Sequence, residues 1–422
     1  MQLRASLLVA MAVTLTQACG SGEAEDSSQG AAAGSPGAAG TDGLAAAAGA
    51  AGVPLPGPYD YADQVPPAQS PPGGLTVEQS PLFVTLAFDD NSVSGLPDTG
   101  SEGGMTWATA LAAARTNVDG SPVRFSFYLT STYIADTTLA IPPILKASWR
   151  NAYEAGHEIG SHTHAHTHGG AFTADEWDAE IGTNLNWLTR PFDAADPASG
   201  VGVPAAAIRG FRTPFMDYDD ALFSVLQERG FWYECTIEEG WEGGQDGTNF
   251  YWPYTLDQGS PGNDLLVQWG LRQPVAPHPG LWEMPVYVLM VPPDERCAEY
   301  GTTPGLRDRM HAAQDYFEVG DGKVTGSDWN LWVLFQLGRA DVLAILEYSL
   351  DLRRQGNRAP FPMLVHSQIY SNRCADNIIN ATIEERQATI AEFLDYALGL
   401  PEVRVTSVGA MLDWMRRPTA LP

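Results

Sequence analysis

Leu82-Phe83-Val84-Thr85-Leu86-Ala87-Phe88-Asp89-Asp90 is an apolar, β-prone run that stops abruptly at two carboxylates. Adjacent aspartates at a strand end repel one another unless a cation sits there or one of them holds a proton. The stretch therefore announces a site as well as a sheet. From Pro81 onward the chain alternates short β-prone runs with helical ones, the pattern of a parallel sheet or barrel wrapped by helices. Strands are expected over 82–88, 123–129, 157–161, 207–211, 231–237, 284–290, 362–366 and 403–406. Helices fit 105–116, 142–155, 174–190, 217–229, 306–317, 339–355 and 383–399. In such folds the loops after the strands' C-terminal ends build the active site, and Asp89 and Asp90 stand at the first of them.

The second signal is Gly156-His157-Glu158-Ile159-Gly160-Ser161-His162-Thr163-His164-Ala165-His166-Thr167-His168, which follows the third expected strand. Half of the chain's eight histidines fall within its last seven positions. Carboxylate plus imidazoles is a zinc ligand set. His162 and His166 are four apart and would share one face of a helical turn, but His164 and His168 have the same spacing, so the pair stays open. A surface tract that holds several ions weakly, as in a metal carrier, is the competing reading. Two later strand ends add polar groups. Arg212 precedes a rigid Pro214 and is placed to pair with a carboxylate, while His366 directly follows the apolar run 361–365. A lone histidine there is commonly structural, unless the other pieces converge on it.

Composition bounds what the rest can be. The 422 residues carry 44 % apolar side chains and twelve Trp, enough for a sizeable core, and the formal charge of −28 argues against nucleic acid or an anionic membrane surface as a partner. Residues 1–18 read as a secretory signal peptide, too short for a stable membrane anchor. Ala18-Cys19-Gly20-Ser21 is similar to a bacterial lipoprotein cleavage site, although Thr16 stands where leucine is usual. Lipidation of Cys19 would be the chain's one membrane attachment, with the protein exported to the periplasm or cell surface. Residues 19–78, rich in Gly, Ala, Ser and Pro, are expected to form a disordered tether. A bridge between Cys297 and Cys374 is expected, with Cys235 a buried free thiol; the absence of C-x-x-C disfavours a thiolate zinc site.

Taken together, the segments resemble the polysaccharide deacetylase family, particularly its chitin deacetylase-like members, whose catalytic unit is the NodB-homology domain. Thr85-Leu86-Ala87-Phe88-Asp89-Asp90 is similar to the first family motif, T-F-D-D, loosened by Ala87. His162 and His166 match the second, H-[ST]-x-x-H; Phe211-Arg212-Thr213-Pro214-Phe215 resembles R-x-P-Y with Phe for Tyr; Leu364-Val365-His366 matches L-x-H. The likeness covers about residues 80 to 415. It implies a distorted (β/α) barrel of seven strands, formed by a catalytic domain at 79–416 in which 240–340 holds long family-specific loops. It also implies a divalent metal ion, zinc first, on Asp90, His162 and His166.

The family's roles carry over residue by residue. Asp89 would be the general base, with Arg212 orienting it and balancing its charge. His366 would be the general acid, the Phe215 backbone N–H would face the oxyanion, and Leu364 would line the acetyl pocket. The usual aspartate pair of the fourth motif is not evident, which makes Glu234 the candidate partner of Arg212. Of Trp241, Trp252, Trp269, Trp282, Trp329 and Trp332, most are expected in the core rather than stacked on sugars.

The expected function is removal of N-acetyl groups from an N-acetylglucosamine-containing polysaccharide, chitin-like or peptidoglycan, by a monomer. An O-acetyl esterase on xylan and a catalytically idle glycan-binding lipoprotein are the rivals.

Overall fold

The computed structural model describes residues 59–97, 99–374 and 379–422. The expected signal peptide, Cys19 and the tether as far as residue 58 lie outside the described residues.

Twelve strands are described: β1 Leu82–Asp89, β2 Ser126–Leu129, β3 Glu158–Ser161, β4 Gly210–Phe211, β5 Tyr233–Glu234, β6 Glu238–Glu239, β7 Tyr254–Thr255, β8 Trp282–Glu283, β9 Val286–Met290, β10 Lys323–Thr325, β11 Phe361–His366 and β12 Val403–Val405. The helices of eight or more residues are α1 Met105–Ala113, α2 Ile141–Glu154, α3 Ala174–Thr189, α4 Asp220–Glu228, α5 Pro261–Gln268, α6 Leu306–Ala313, α7 Arg339–Gln355, α8 Ile383–Leu398 and α9 Val408–Arg416. Short signals set their ends: Thr173 with Glu176 and Thr382 with Glu385 form capping boxes that start α3 and α8.

All eight residues of β1 are buried, as a strand covered on both faces must be. It pairs in parallel with β11 and β12 on one side and β2 on the other. The sheet continues in parallel through β3, β4, β5 and β8, and β7 closes its edge antiparallel. It is a strongly curled half-barrel, the distorted α/β barrel read from the sequence. Its nine strands exceed the expected seven, because two-residue strands and the short β12 join the sheet. Among the described residues no ladder joins β8 back to β11. A three-stranded sheet of β6, β9 and β10 stands in that gap, linked to β11 by a single bridge, Ser327 to Leu364.

The larger apolar core lies between the sheet's outer face and the helices; a second cluster, with Ala87, Tyr128, Tyr233 and Trp282, fills the curl. Two glycines make that filling possible. A Cβ on Gly160 would stand 2.4 Å from the Tyr128 ring, and one on Gly210 would stand 2.0 Å from the Tyr233 ring. α9 packs under the N-terminal ends of the strands, with Met411 and Leu412 in the inner cluster and the Gly409 N–H donating to Glu158 at 2.9 Å.

Three expectations are corrected. The tether does not run to residue 78, since residues 59–78 lie against the domain. Tyr61 donates to the Phe231 carbonyl at 2.7 Å, the Val65 N–H donates to Thr255 at 2.8 Å, and the Trp252 N–H donates to the Ala68 carbonyl at 2.8 Å. Average composition hid these few anchoring side chains. Second, Cys297 is a buried free thiol, so the bridge to Cys374 does not form; its Sγ lies 3.5 Å from the Pro293 carbonyl instead. Third, the stretch 240–340 holds, beside the expected strand and helix seen as β9 and α6, a helix and a strand that were not expected, α5 and β10. No helix among the described residues is long and apolar enough to cross a membrane.

Candidate active site

Parallel pairing carries the functional side chains to one rim. β1 ends at Asp89, directly opposite His366 at the end of β11. His162 follows β3 and Arg212 follows β4, two strands that pair through Ser161 and Phe211. The chain leaves β1 through Asp90 and Asn91 at φ of 65° and 62°, a left-handed conformation uncommon for L-residues and best tolerated by Asn and Asp. Asn91 holds it there: its amide donates to the Phe88 and Tyr128 carbonyls at 3.0 and 3.2 Å, tying the ends of β1 and β2 together. The histidine tract is a loop rather than the helical turn its spacing allowed, with Thr163 and His166 at φ of 64° and 52°. Glu180 of α3 fixes it by accepting from the His164 and Ala165 N–H groups at 3.0 and 2.7 Å.

That loop resolves the pairing of histidines. Asp90, His162 and His166 present ligand atoms within 4.8 Å of one another. His162 Nε2 and His166 Nε2 lie 3.4 and 2.7 Å from Asp90 Oδ1. His162 Nδ1 stands 2.9 Å from the Arg212 carbonyl, which can only accept, so the proton is on Nδ1 and the Nε2 lone pair faces inward. Asp90 Oδ1 is buried and completes no hydrogen bond. An orphaned carboxylate oxygen facing two imidazole nitrogens is the donor set of a divalent cation, and these residues fit one. His164 turns away to Ser131 at 2.9 Å, and His168 turns to Asp217 at 2.8 Å.

Two charge pairs flank this triad. Arg212, 2 % exposed, donates to Asp89 Oδ1 at 3.0 Å and to the Cys235 carbonyl at 2.9 Å, and stacks over Tyr128. Burial alone would weaken its charge, but Asp89, with smaller contributions from Cys235 and Tyr128, offsets burial and raises the guanidinium above its usual range. On the other side His366 Nδ1 meets Asp328 Oδ1 at 2.7 Å, while the His366 backbone N–H donates to Asp328 Oδ2 at 2.8 Å. Burial lifts the Asp328 carboxyl. It also opposes charge on His366, yet the facing Asp328, together with Asp90 and Asp89, overrides it and pushes the imidazole up to about 9.

Asp328 was missed in the sequence, since it stands beyond Gly326 and Ser327 after the three-residue β10, a run too short to mark it. Glu234 is the opposite case. It is buried but does not pair with Arg212, whose carboxylate partner is Asp89. Neighbouring residues on a strand face opposite ways, and Glu234 stands in register with Glu283 of β8. Both carboxyls lack a conventional hydrogen-bond partner, and burial raises them together with nearby Glu239. Phe215, at φ 56°, lays its ring on His168 at 3.9 Å and on the edge of His166 at 4.8 Å. Leu364 packs with Met216 and Val286 in a small apolar cluster apart from both main cores. Trp252, Trp282 and Trp332 are buried, whereas Trp329 is part-exposed with its ring 6.2 Å from that of His366.

Residues 78–233 match the family described as polysaccharide deacetylase. The likeness to that family is carried by this stretch, little more than a third of the chain. The chain as a whole is 24 % identical over 351 residues to chitin deacetylase 8 of Bombyx mori, covering 83 % of this chain and 74 % of the relative. A solved structure from Mycobacterium smegmatis, assigned to the polysaccharide deacetylases, superposes with a TM-score of 0.50 at 15 % identity. It covers 85 % of this chain and 99 % of that one, so the two share a fold. The matched region contains Asp89, Asp90, His162, His166 and Arg212 but ends before Asp328 and His366, which the curl of the sheet brings to the same rim.

Proposed function

We propose that this chain is an exported hydrolase that removes N-acetyl groups from a polysaccharide containing N-acetylglucosamine, chitin-like or peptidoglycan. The observation that carries the reading is the pairing of two differently tuned groups, Asp89 with Arg212 and His366 with Asp328, on either side of the Asp90–His162–His166 triad. A divalent cation held by the triad, zinc foremost, would polarise the acetyl carbonyl and bring the pKa of a water towards neutrality. Asp89, acceptor-only and steered by Arg212, takes the proton of the attacking water. His366, held protonated by Asp328, delivers a proton to the leaving nitrogen, without which an amine is a poor leaving group. The Phe215 N–H stabilises the oxyanion, and Leu364, with Met216 and Val286 beside it, receives the acetyl methyl.

Acetate release from chitin oligomers, peptidoglycan and acetylated xylan tests this. Full-length protein supplied with zinc should release acetate from one of the first two, and Asp89→Asn should lower the rate by about 100- to 10,000-fold. Release from xylan alone would make the chain an esterase. Tight zinc binding with no acetate from any substrate would leave a glycan-binding role.

A further inference from the structure

We infer that Gln368 is a positioning residue for the metal ligand Asp90, an inference that rests on the metal site proposed above. The amide Nε2 of Gln368 lies 2.5 Å from Asp90 Oδ2, and Gln368 is 4 % exposed. A carboxylate only accepts, so the amide must present N–H to it. Asp90 therefore spends Oδ2 on Gln368 and is left with Oδ1, the oxygen that faces His162 and His166 and has no hydrogen bond of its own. The consequence is a one-oxygen ligand. With the amide holding one lone pair of Oδ2, one-oxygen coordination through Oδ1 is favoured over chelation through both oxygens, which leaves coordination positions for water and an acetyl oxygen.

The donor is firmly placed. Gln368 sits in the short turn Ser367–Tyr370 that follows β11, two residues after His366. Its own carbonyl accepts from the Ser371 hydroxyl at 2.7 Å and from the Ser371 N–H at 3.1 Å. Gln387 of α8 donates to the Tyr370 carbonyl at 2.9 Å, and the Asn372 N–H donates to the Thr99 carbonyl at 2.9 Å. On the other side, the left-handed backbone of Asp90 is clamped by Asn91. Two segments far apart in sequence thus fix one carboxylate from both ends, its backbone from β1 and its side chain from the turn after β11. The same turn carries His366, so the aim of the ligand and the place of the general acid are set by one piece of chain.

Hydrogen-bond partners of metal ligands commonly govern affinity by 10- to 100-fold. The test is zinc affinity by chelator competition on full-length protein, with the cobalt(II) visible spectrum as a second readout of coordination number. Gln368→Leu should weaken zinc by about 10- to 100-fold and lower the cobalt absorption as Asp90 becomes free to chelate through both oxygens. Its metal-free thermal midpoint should stay near that of the parent, which separates aim from folding. Gln368→Met, which keeps the unbranched shape but not the donor, gives the same answer should the leucine variant not fold. Zinc affinity within twofold of the parent and an unchanged cobalt spectrum in either folded variant would overturn the role of Gln368. If the parent itself binds zinc no more tightly than Asp90→Asn, the metal site falls, and this inference with it.

Discussion

At the scale of single residues, burial and a facing charge decide what each group can do. In the proposed mechanism His366 acts as an acid only while protonated; burial opposes that charge, and Asp328, aided by Asp90 and Asp89, pushes the imidazole up to about 9. Asp328→Asn keeps the shape but removes the charge, so the imidazole loses its proton at lower pH. The alkaline limb of the pH–rate profile should move down by about 1–2 units; an unmoved limb would exclude His366 as the acid. Arg212→Met leaves the Asp89 carboxylate buried without its cation and should cost about 3–5 kcal/mol in urea unfolding as well as activity. Most of these residues were legible because motif and spacing name them: Asp89 and Asp90 at a strand end, the histidines in a tract, Arg212 ahead of a proline. Asp328 was not, because its role is conferred by its distance to His366 and a sequence carries no distances. Glu234 was misassigned because a strand end fixes the height of a residue in the barrel but not which face it takes.

At the scale of elements, long apolar runs and capped helices were readable. β1, β11 and α7 lie within a residue of the expected positions. Two-residue strands such as β4 and β5 have too few positions to show a period, and their strand character comes from neighbours. The strap of residues 59–78 was hidden for another reason: its four Pro and two Gly read on from the Gly- and Ala-rich stretch before it, while Tyr59, Tyr61 and Val65 do the anchoring. Tyr61→Ala removes the hydrogen bonds to the Phe231 and Gln227 carbonyls together with a packed ring. It should destabilise the domain by about 1–3 kcal/mol in urea unfolding while leaving the zinc affinity unchanged. An unaltered midpoint would mean that the strap adds nothing to the fold.

At the scale of the whole molecule, pH acts through the buried carboxyls of Glu234, Glu239 and Glu283 as well as through the active site. Burial raises all three, so the folded chain keeps protons that the unfolded chain releases above the ordinary glutamate range near 4.3. Their contribution to stability is complete at acid pH and fades as pH climbs through the raised values. Glu283→Gln, neutral at every pH and of the same size, should flatten that slope and raise the thermal midpoint at pH 9. A variant with the parent's pH dependence would show that the pair does not hold a proton.

The position of β1 has a further consequence, for synthesis. The strand that supplies Asp89 and leads into Asp90 is among the first parts of the domain to be made, yet its neighbours β11 and β12 come from the far end of the chain. Until those emerge, one whole side of β1 is an unpaired apolar edge, which is a hazard for aggregation. Chains ended after α7 should therefore fail to fold rather than fold into a smaller, less stable domain. The ribosome delivers the first carboxylates early, and they wait for the last segments before they have anything to act with.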